Sequence, residues 1–249
     1  MKNYLSYIKE NNSLITIPSI DELKELIDKH CKGFNPQNAI FYRGQYTLDD
    51  IFISKPSLRK RKSSFESEFV MAFTEHWKEY PKRKNSLCFT VSAHDAYDFG
   101  NILYYVLPFT DSNIGVSNFQ DFNFQRFEQY SIHDVNELLK EFVWMVDPVD
   151  NINITYDEII TNLEKIDEDA IKNARFDPEW EEKYLGYYNS FDGDMVKFFE
   201  ELIKPKPENY MNFKMDWNNI PEIGEGSELW TDGDCILIRN EIFEKEFNI

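Results

Sequence analysis

Cysteine is scarce in this chain, and the few cysteines lie far apart. Three are present among 249 residues, Cys31, Cys88 and Cys235, an odd number without a C-x-x-C pair. No disulfide framework and no metal-ligand pair can be read from such spacing. The four histidines are equally scattered. The sequence therefore predicts a reduced, cytoplasmic protein and suggests no metal site.

Long apolar runs and basic side chains are also in short supply. No apolar run approaches the roughly 18–20 residues that span a bilayer, and the N-terminal MKNYLSYIKENN has no apolar core of a secretory signal. Lys and Arg number 27 against 45 Asp and Glu, which gives a formal net charge of −18. A surface this acidic repels nucleic acid and anionic membrane on average. We therefore expect no membrane partner.

Aromatic residues are abundant, at 16% of the chain within a hydrophobic fraction of 42%. That composition is typical of a folded globular protein with a sizeable core. Ser19 and Glu22 form an S-x-x-E capping box before an apolar stripe, which predicts a first helix. The apolar runs AIFY, SLCFTV and NILYYVLPF predict buried strands over 39–42, 86–91 and 101–109.

The second half of the chain is mostly helical in pattern. Residues 131–204 carry helix signals, the last of which, DMVKFFEELIKPKP, stops at Pro205. A further helix is predicted over 64–80, and GSELWTDGDCILI predicts two strands around an Asp-Gly turn. We therefore expect an α+β fold in which a single domain, 1–249, contains a helical insertion over 131–204.

Positive charge is concentrated in one window, Lys55–Lys84. Four Glu oppose nine basic residues there, so the window is net positive in an acidic chain. It is interpreted either as charged loops around a solvated helix or as a surface that contacts phosphate. The basic residues are Lys55, Arg59, Lys60, Arg61, Lys62, Lys78, Lys82, Arg83 and Lys84.

The stretch FYRGQ carries the first candidate site residues. Arg43 stands at the predicted end of a strand and offers a rigid fork of donors suited to phosphate or carboxylate. Gly44 lacks a Cβ, so the backbone can approach a ligand. The alternative interpretation pairs Arg43 with an acidic neighbour, Asp49 or Asp50.

Two further stretches carry polar residues at strand ends. In LCFTVSAHDAYDFG, Thr90 and Ser92 lie two residues apart and so point to one side of a strand. Ser92 is alternatively a helix cap, with Asp95 completing a capping box. In GEGSELWTDGDCILI, Glu228 opens a strand after a glycine-rich loop. It is alternatively an exposed carboxylate of a hairpin.

The order of these three stretches resembles the Arg-Ser-Glu type of mono-ADP-ribosyltransferase. That family has an aromatic-Arg-Gly strand, an aromatic-x-[ST]-x-S strand leading into an A-x-x-F helix, and a late strand with a catalytic glutamate. FYRGQ and the later PSLR also resemble the start of the FRG domain, although its usual QHxGxPTRLLDW-like stretch is missing. The matching residues are Tyr42-Arg43-Gly44, Phe89-Thr90-Val91-Ser92, Ala96-Tyr97-Asp98-Phe99 and Glu228.

The resemblance implies an ADP-ribosyltransferase-like split β-sheet core with flanking helices. It also implies transfer of ADP-ribose from NAD to a macromolecular target, protein or nucleic acid, as in toxins, phage effectors and defence proteins. Glu228 would be the catalytic residue, with Glu225 as another carboxylate nearby. The residues implied to bind NAD are Arg43, Gly44, Thr90, Ser92 and Phe99.

Two features keep a second interpretation open. Gly226 stands where arginine-modifying members of the family have Gln or Glu, so arginine is not implied as the target. The strong acidity also suits a non-catalytic, immunity-type protein that binds a basic partner. The geometry distinguishes the two, because only the enzyme requires Arg43, Ser92 and Glu228 to meet in one place.

Overall fold

The computed structural model describes residues 14–46, 49–58, 71, 75–118, 156–173 and 178–249. The chain divides into two compact units. The first comprises Met1–Glu68, Lys78–Phe122 and Pro205–Ile249, and the second comprises Phe69–Trp77 and Asn123–Lys204.

The described part of the first unit is built on a nine-stranded antiparallel sheet. The order of the strands across the sheet is β1-β3-β9-β5-β2-β4-β8-β6-β7. Their bounds are β1 Leu14–Thr16, β2 Tyr42–Gln45, β3 Ile51–Ser54, β4 Leu87–Thr90, β5 Ile102–Pro108, β6 Asn113–Ser117, β7 Tyr210–Lys214, β8 Glu228–Thr231 and β9 Cys235–Arg239.

The predicted fold class, with its split β-sheet core, is wrong. The described strands form one antiparallel sheet, in which β2 pairs with β5 on one side and with β4 on the other. The sequence analysis missed β1, β3, β6 and β7, each only three to five residues long. Strands this short give little alternating pattern, and β6 contains Gly115, a residue that strands disfavour.

Two of the predicted strands are confirmed, and two predictions need correction. β4 and β5 lie within the predicted ranges. β2 begins where the predicted strand ends, so Arg43 and Gly44 lie inside it rather than at its exit. β8 and β9 form as predicted but are not a hairpin in the described sheet, because β8 pairs with β4 and β6 whereas β9 pairs with β3 and β5.

Helices pack on this sheet at both ends of the chain. The predicted first helix is confirmed as α1, Ile20–His30, and the Ser19 hydroxyl accepts a hydrogen bond from Glu22 N at 3.2 Å. The C-terminal helix of the chain, Asn240–Phe247, buries Phe243 against Tyr105 with ring centroids 4.0 Å apart.

The core of the first unit is rich in aromatic residues. Phe41 and Phe89 meet edge to face, with centroids 5.3 Å apart, and both are fully buried. Trp217 packs beside Phe41 and donates from its indole to Pro108 O at 3.1 Å. Burying each such side chain contributes about 1.5–3 kcal/mol, so this cluster fixes β2, β4 and β5 against one another.

The described part of the second unit is helical. α2 spans Tyr156–Leu163, α3 Glu168–Asn173, α4 Pro178–Ser190 and α5 Met195–Ile203, so the C-terminal helix of the first unit is α6.

The last helix of the second unit forms as the sequence predicts. Asp194 caps the N-terminus of α5, because its carboxylate accepts from Lys197 N at 2.9 Å. Lys204 ends the helix just before Pro205. Trp77 donates to Ile203 O at 2.8 Å.

Part of the predicted helical sequence lies outside the described residues. This applies to 131–155 and 174–177 and to most of the helix predicted over 64–80, of which Glu75–Trp77 forms a short 3₁₀ turn. Within the described ranges, none of the helices has the length and apolar character required to cross a membrane.

Candidate functional site

Glu228 stands in a row of side chains that crosses five strands. Tyr42 is paired with Thr90, Thr90 with Glu228, Glu228 with Ser117, and Ser117 with Tyr210. Residues directly opposite in antiparallel strands project from the same face of a sheet. The strands of the three sequence motifs are therefore neighbours, and Thr90 and Glu228 share a face.

Glu228 is buried and forms an ion pair with Arg83. The side chains are 4% and 10% exposed, and Arg83 Nη2 donates to Glu228 Oε1. The Arg83 guanidinium also lies 5.3 Å from the centre of the Trp230 ring. A buried carboxylate needs such a partner, because leaving water costs a charge far more than a neutral group. Glu228 is thus not the exposed hairpin carboxylate of the alternative interpretation.

The segment 79–83, which we call the strap, carries Arg83 to this position. Strand side chains hold its backbone, and Tyr80 stacks on Trp230 with centroids 6.1 Å apart. The strap is therefore fixed to β6, β7 and β8 just beside Glu228. The bonds that hold it are Asn113 Nδ2 to Glu79 O at 2.6 Å, Asn212 Nδ2 to Glu79 O at 2.7 Å and Trp230 Nε1 to Pro81 O at 2.9 Å.

Arg43 is buried within β2 and contacts the second motif. It is 8% exposed, its Nη1 donates to Cys88 O of β4, and its guanidinium lies 4.8 Å from the centre of the Phe99 ring. An arginine over an aromatic face is a favourable cation–π contact. Arg43 therefore contacts both Phe99 and the backbone of β4 at Cys88, two residues before Thr90.

The acidic neighbours that the sequence offered to Arg43 have other contacts. Asp50 forms an ion pair with Arg239 at 3.1 Å, and Asp49 accepts from Thr16 at 3.3 Å. Tyr104, opposite Arg43 on β5, donates to Asp49 O at 2.8 Å. Burial raises the pKa of Tyr104 to about 12.

Gly44 has a packing reason for lacking a side chain. A Cβ at this position would lie 2.6 Å from Gly100 N and closer still to the carbonyl oxygens of Ala96 and Gly100. These atoms belong to the 3₁₀ helix Asp95–Phe99 and the glycine that ends it. The chain itself therefore fills the space in front of Gly44, the space that the sequence analysis assigned to a ligand.

Thr90 and Ser92 shape the turn between β4 and this 3₁₀ helix. Ser92 N donates to Thr90 Oγ1 at 3.2 Å, and Asp95 N donates to Ser92 Oγ at 3.2 Å. Ser92 thus accepts from the first N–H of the helix, as the capping interpretation requires, although His94 occupies the N-cap position and Ser92 N bonds to Thr90 instead of completing a capping box with Asp95. Through the helix that it caps, Ser92 fixes Phe99 and so the ring on which Arg43 rests.

Capping by Ser92 leads to a direct prediction. Ser92→Ala is expected to cost about 1 kcal/mol of unfolding free energy, because Asp95 N loses its acceptor, whereas Ser92→Asp keeps most of the stability. Urea denaturation of the two variants and the wild type measures both values. Equal losses in the two variants would contradict the capping role.

The predicted site residues thus lie on neighbouring elements of the first unit, β2, β4, β8 and one 3₁₀ helix. Tyr42, Thr90 and Glu228 project from one face of the sheet, and because side chains alternate along a strand, Arg43 projects from the other face. Sequence reasoning missed two others. Arg83 was one of nine cations in the basic window, with nothing to single it out. Ser117 gave no signal at all, yet it is fully buried opposite Glu228, and among the described residues its hydroxyl has no hydrogen-bond partner.

The described residues also define what surrounds the site. Glu225, the other carboxylate considered, is exposed in the loop before β8. In the part of the chain that the structure describes, no three His, Cys, Asp or Glu side chains are grouped closely enough to hold a metal ion.

Comparison of the chain with protein-family models, with curated proteins and with solved structures finds no match.

Proposed function

We propose that this protein binds NAD where β2, β4 and β8 meet and transfers ADP-ribose from it to a macromolecule. The observation that carries the proposal is the adjacency of these strands, with Thr90 directly opposite Glu228 and Arg43 on the next strand. The three motifs are separated by long stretches of sequence, so their meeting in one sheet is a demanding condition.

The chemistry asks for a fixed negative charge near the reacting carbon. When the bond between the ribose C1′ and the nicotinamide nitrogen breaks, its electron pair leaves with nicotinamide and C1′ becomes oxocarbenium-like. A preorganised carboxylate stabilises that charge. A nucleophile of the target then donates an electron pair to C1′ and loses its proton. Glu228 is the carboxylate that we assign to this role.

Arg43 and Phe99 are assigned to hold the dinucleotide. A guanidinium is permanently charged and matches the geometry of a phosphate. Its contacts with Cys88 O and the Phe99 ring fix its direction. Thr90 and Ser92 act indirectly, by fixing the turn that carries Phe99.

The ion pair of Glu228 imposes a condition on this mechanism. The carboxylate is 4% exposed and its Oε1 accepts from Arg83. The substrate must therefore displace Arg83, and part of its binding energy is used for this step. We expect turnover to be slow until a ligand or target has moved the arginine.

Nicotinamide release from NAD tests the proposal. Glu228→Gln is expected to lower the rate by about 100-fold or more, because the charge that stabilises the transition state is removed. The matched control, Glu225→Gln, removes an exposed carboxylate three residues away and should retain the wild-type rate. Circular dichroism is used to check that each variant is folded. A Glu228→Gln rate equal to that of the wild type would overturn the proposal.

The class of target is read with labelled NAD in cell lysate. Label that is lost on protease treatment indicates a protein acceptor, and label that is lost on nuclease treatment indicates a nucleic acid. If the Glu228→Gln variant incorporates as much label as the wild type, transfer by this site is contradicted.

One observation favours a second function, a non-catalytic protein that binds a basic partner. The carboxylate of Glu228 is already neutralised by Arg83, as it would be in a structural ion pair. In that case NAD neither raises the melting temperature nor yields nicotinamide. Binding to an immobilised polycation that weakens steeply with salt would then support this function.

A further inference from the structure

Ser117 is the unusual member of the row that contains Glu228. It lies on β6 directly opposite Glu228 and is 0% exposed. Within the described part of the chain, its Oγ makes no hydrogen bond. A buried hydroxyl without a partner costs free energy, and most buried side-chain hydroxyls find one. An alanine in this position would remove that cost, so the presence of a hydroxyl here requires an explanation.

The position of Ser117 supplies a reason. Side chains directly opposite across antiparallel strands have Cβ atoms about 4.5–5.5 Å apart. Rotation of the long Glu228 side chain therefore brings its carboxylate to the Ser117 hydroxyl without backbone movement. In the described structure the carboxylate is instead turned to Arg83. Two hydrogen-bond donors, one charged and one neutral, thus lie within reach of the Glu228 carboxylate.

The hydroxyl on the other side of Glu228 is held in place as an acceptor. Thr90 is opposite Glu228 on β4, but its Oγ1 accepts from Ser92 N in the turn to the 3₁₀ helix. That bond fixes the orientation of the Thr90 side chain. Ser117 has no such restraint among the described residues, so it is able to follow the carboxylate.

We propose that Ser117 is a positioning residue, which donates a hydrogen bond to the Glu228 carboxylate when that group leaves Arg83. Glu228 thus has two positions, a resting one paired with Arg83 and an active one held by Ser117. The consequence for turnover rests on the proposed function. The two positions themselves do not, because they follow from the contacts around Glu228.

The activity test compares Ser117→Ala and Ser117→Thr in nicotinamide release. Ser117→Ala is expected to lower kcat about tenfold with little change in KM. Ser117→Thr keeps the hydroxyl and should restore kcat. Ser54→Ala, a fully buried serine opposite Cys235 on β9, is the matched control and should leave kcat unchanged.

An unchanged kcat in Ser117→Ala would overturn the proposal. So would a Ser117→Thr variant that behaves like Ser117→Ala, because the effect would then be one of packing. Either result leaves the proposed function standing as long as the wild type releases nicotinamide in a Glu228-dependent manner.

A second measurement needs no NAD and keeps the inference testable if the proposed function fails. Ser117→Ala is made in the wild type and in Arg83→Gln, and the melting temperatures are measured at pH 8. In the wild type, Ser117→Ala should leave the melting temperature unchanged or raise it. In Arg83→Gln, where the carboxylate turns to Ser117, it should lower the melting temperature. Equal shifts in the two backgrounds would overturn the proposal.

Should Arg83→Gln fail to fold, Arg83→Lys replaces it in the same comparison. Lysine keeps the positive charge but not the fork that holds Glu228. Ser117→Ala is again expected to lower the melting temperature more in this background than in the wild type. An equal shift again contradicts the two positions of Glu228.

Discussion

Arg83→Met is expected to lower the free energy of unfolding of the first unit by about 3–5 kcal/mol, more than Arg83→Met combined with Glu228→Leu. The single substitution leaves Glu228, which is 4% exposed, as a buried charge without its arginine. The double substitution removes both charges and places two apolar side chains beside Trp230. Urea denaturation of the wild type, both single variants and the double variant measures the difference.

A second arginine of the same unit serves as the control. Arg239 pairs with Asp50 and Glu241 at the surface. Arg239→Met should therefore shift the urea midpoint far less, since water and salt screen exposed pairs. If Arg83→Met costs no more than Arg239→Met, the buried pair does not stabilise the sheet in the way described. Losses that simply add in the double variant would contradict it as well.

Gly44→Ala is expected to be the other severe substitution, with a loss of about 1–3 kcal/mol or more. The new Cβ would meet backbone atoms of Ala96 and Gly100, which cannot rotate away as a side chain does. The 3₁₀ helix must therefore move off β2, and Phe99 moves with it away from Arg43. Urea denaturation measures the loss.

Gly186→Ala is the matched control for that substitution. Gly186 lies inside α4, and a Cβ there would meet nothing within 4 Å apart from the backbone of its own helix and its chain neighbours. Because alanine is the better helix residue, this variant should gain about 0.5–1 kcal/mol. A Gly44→Ala protein that unfolds at the wild-type midpoint would show that the contact between β2 and the 3₁₀ helix relaxes without cost.

Local signals predicted local structure well. The capping box at Ser19 and the stop at Pro205 fixed the ends of α1 and α5, because caps and prolines act within a few residues. Pairing of strands is not local. The Asp-Gly turn after β8 suggested a hairpin, yet β8 and β9 each have two other strands as neighbours in the described sheet.

The same distinction between local and non-local signals explains which parts of the candidate site could be predicted from the sequence. Motif order identified β2, β4 and β8, but not what their residues touch. Arg83 is 145 residues from Glu228 in sequence, so no pattern in one chain connects them. Gly44 was interpreted as leaving space for a ligand. A glycine in a sequence indicates that some group approaches its backbone closely, but not which group. That its neighbour is Gly100 depends on the packing of the 3₁₀ helix on β2.

The place of β8 in the sheet has a consequence for when the site can exist. β8 is inserted between β4 and β6, although it follows β6 by more than a hundred residues in the chain. At ordinary rates of protein synthesis this interval lasts on the order of ten seconds. During that time β4 and β6 each present an edge without its final neighbour, and the row between Thr90 and Ser117 is empty. A ribosome-bound chain that has not reached β8 therefore has neither a complete sheet nor the Glu228 carboxylate for Arg83. The carboxylate comes with β8, and the sheet is complete only once β9 has followed.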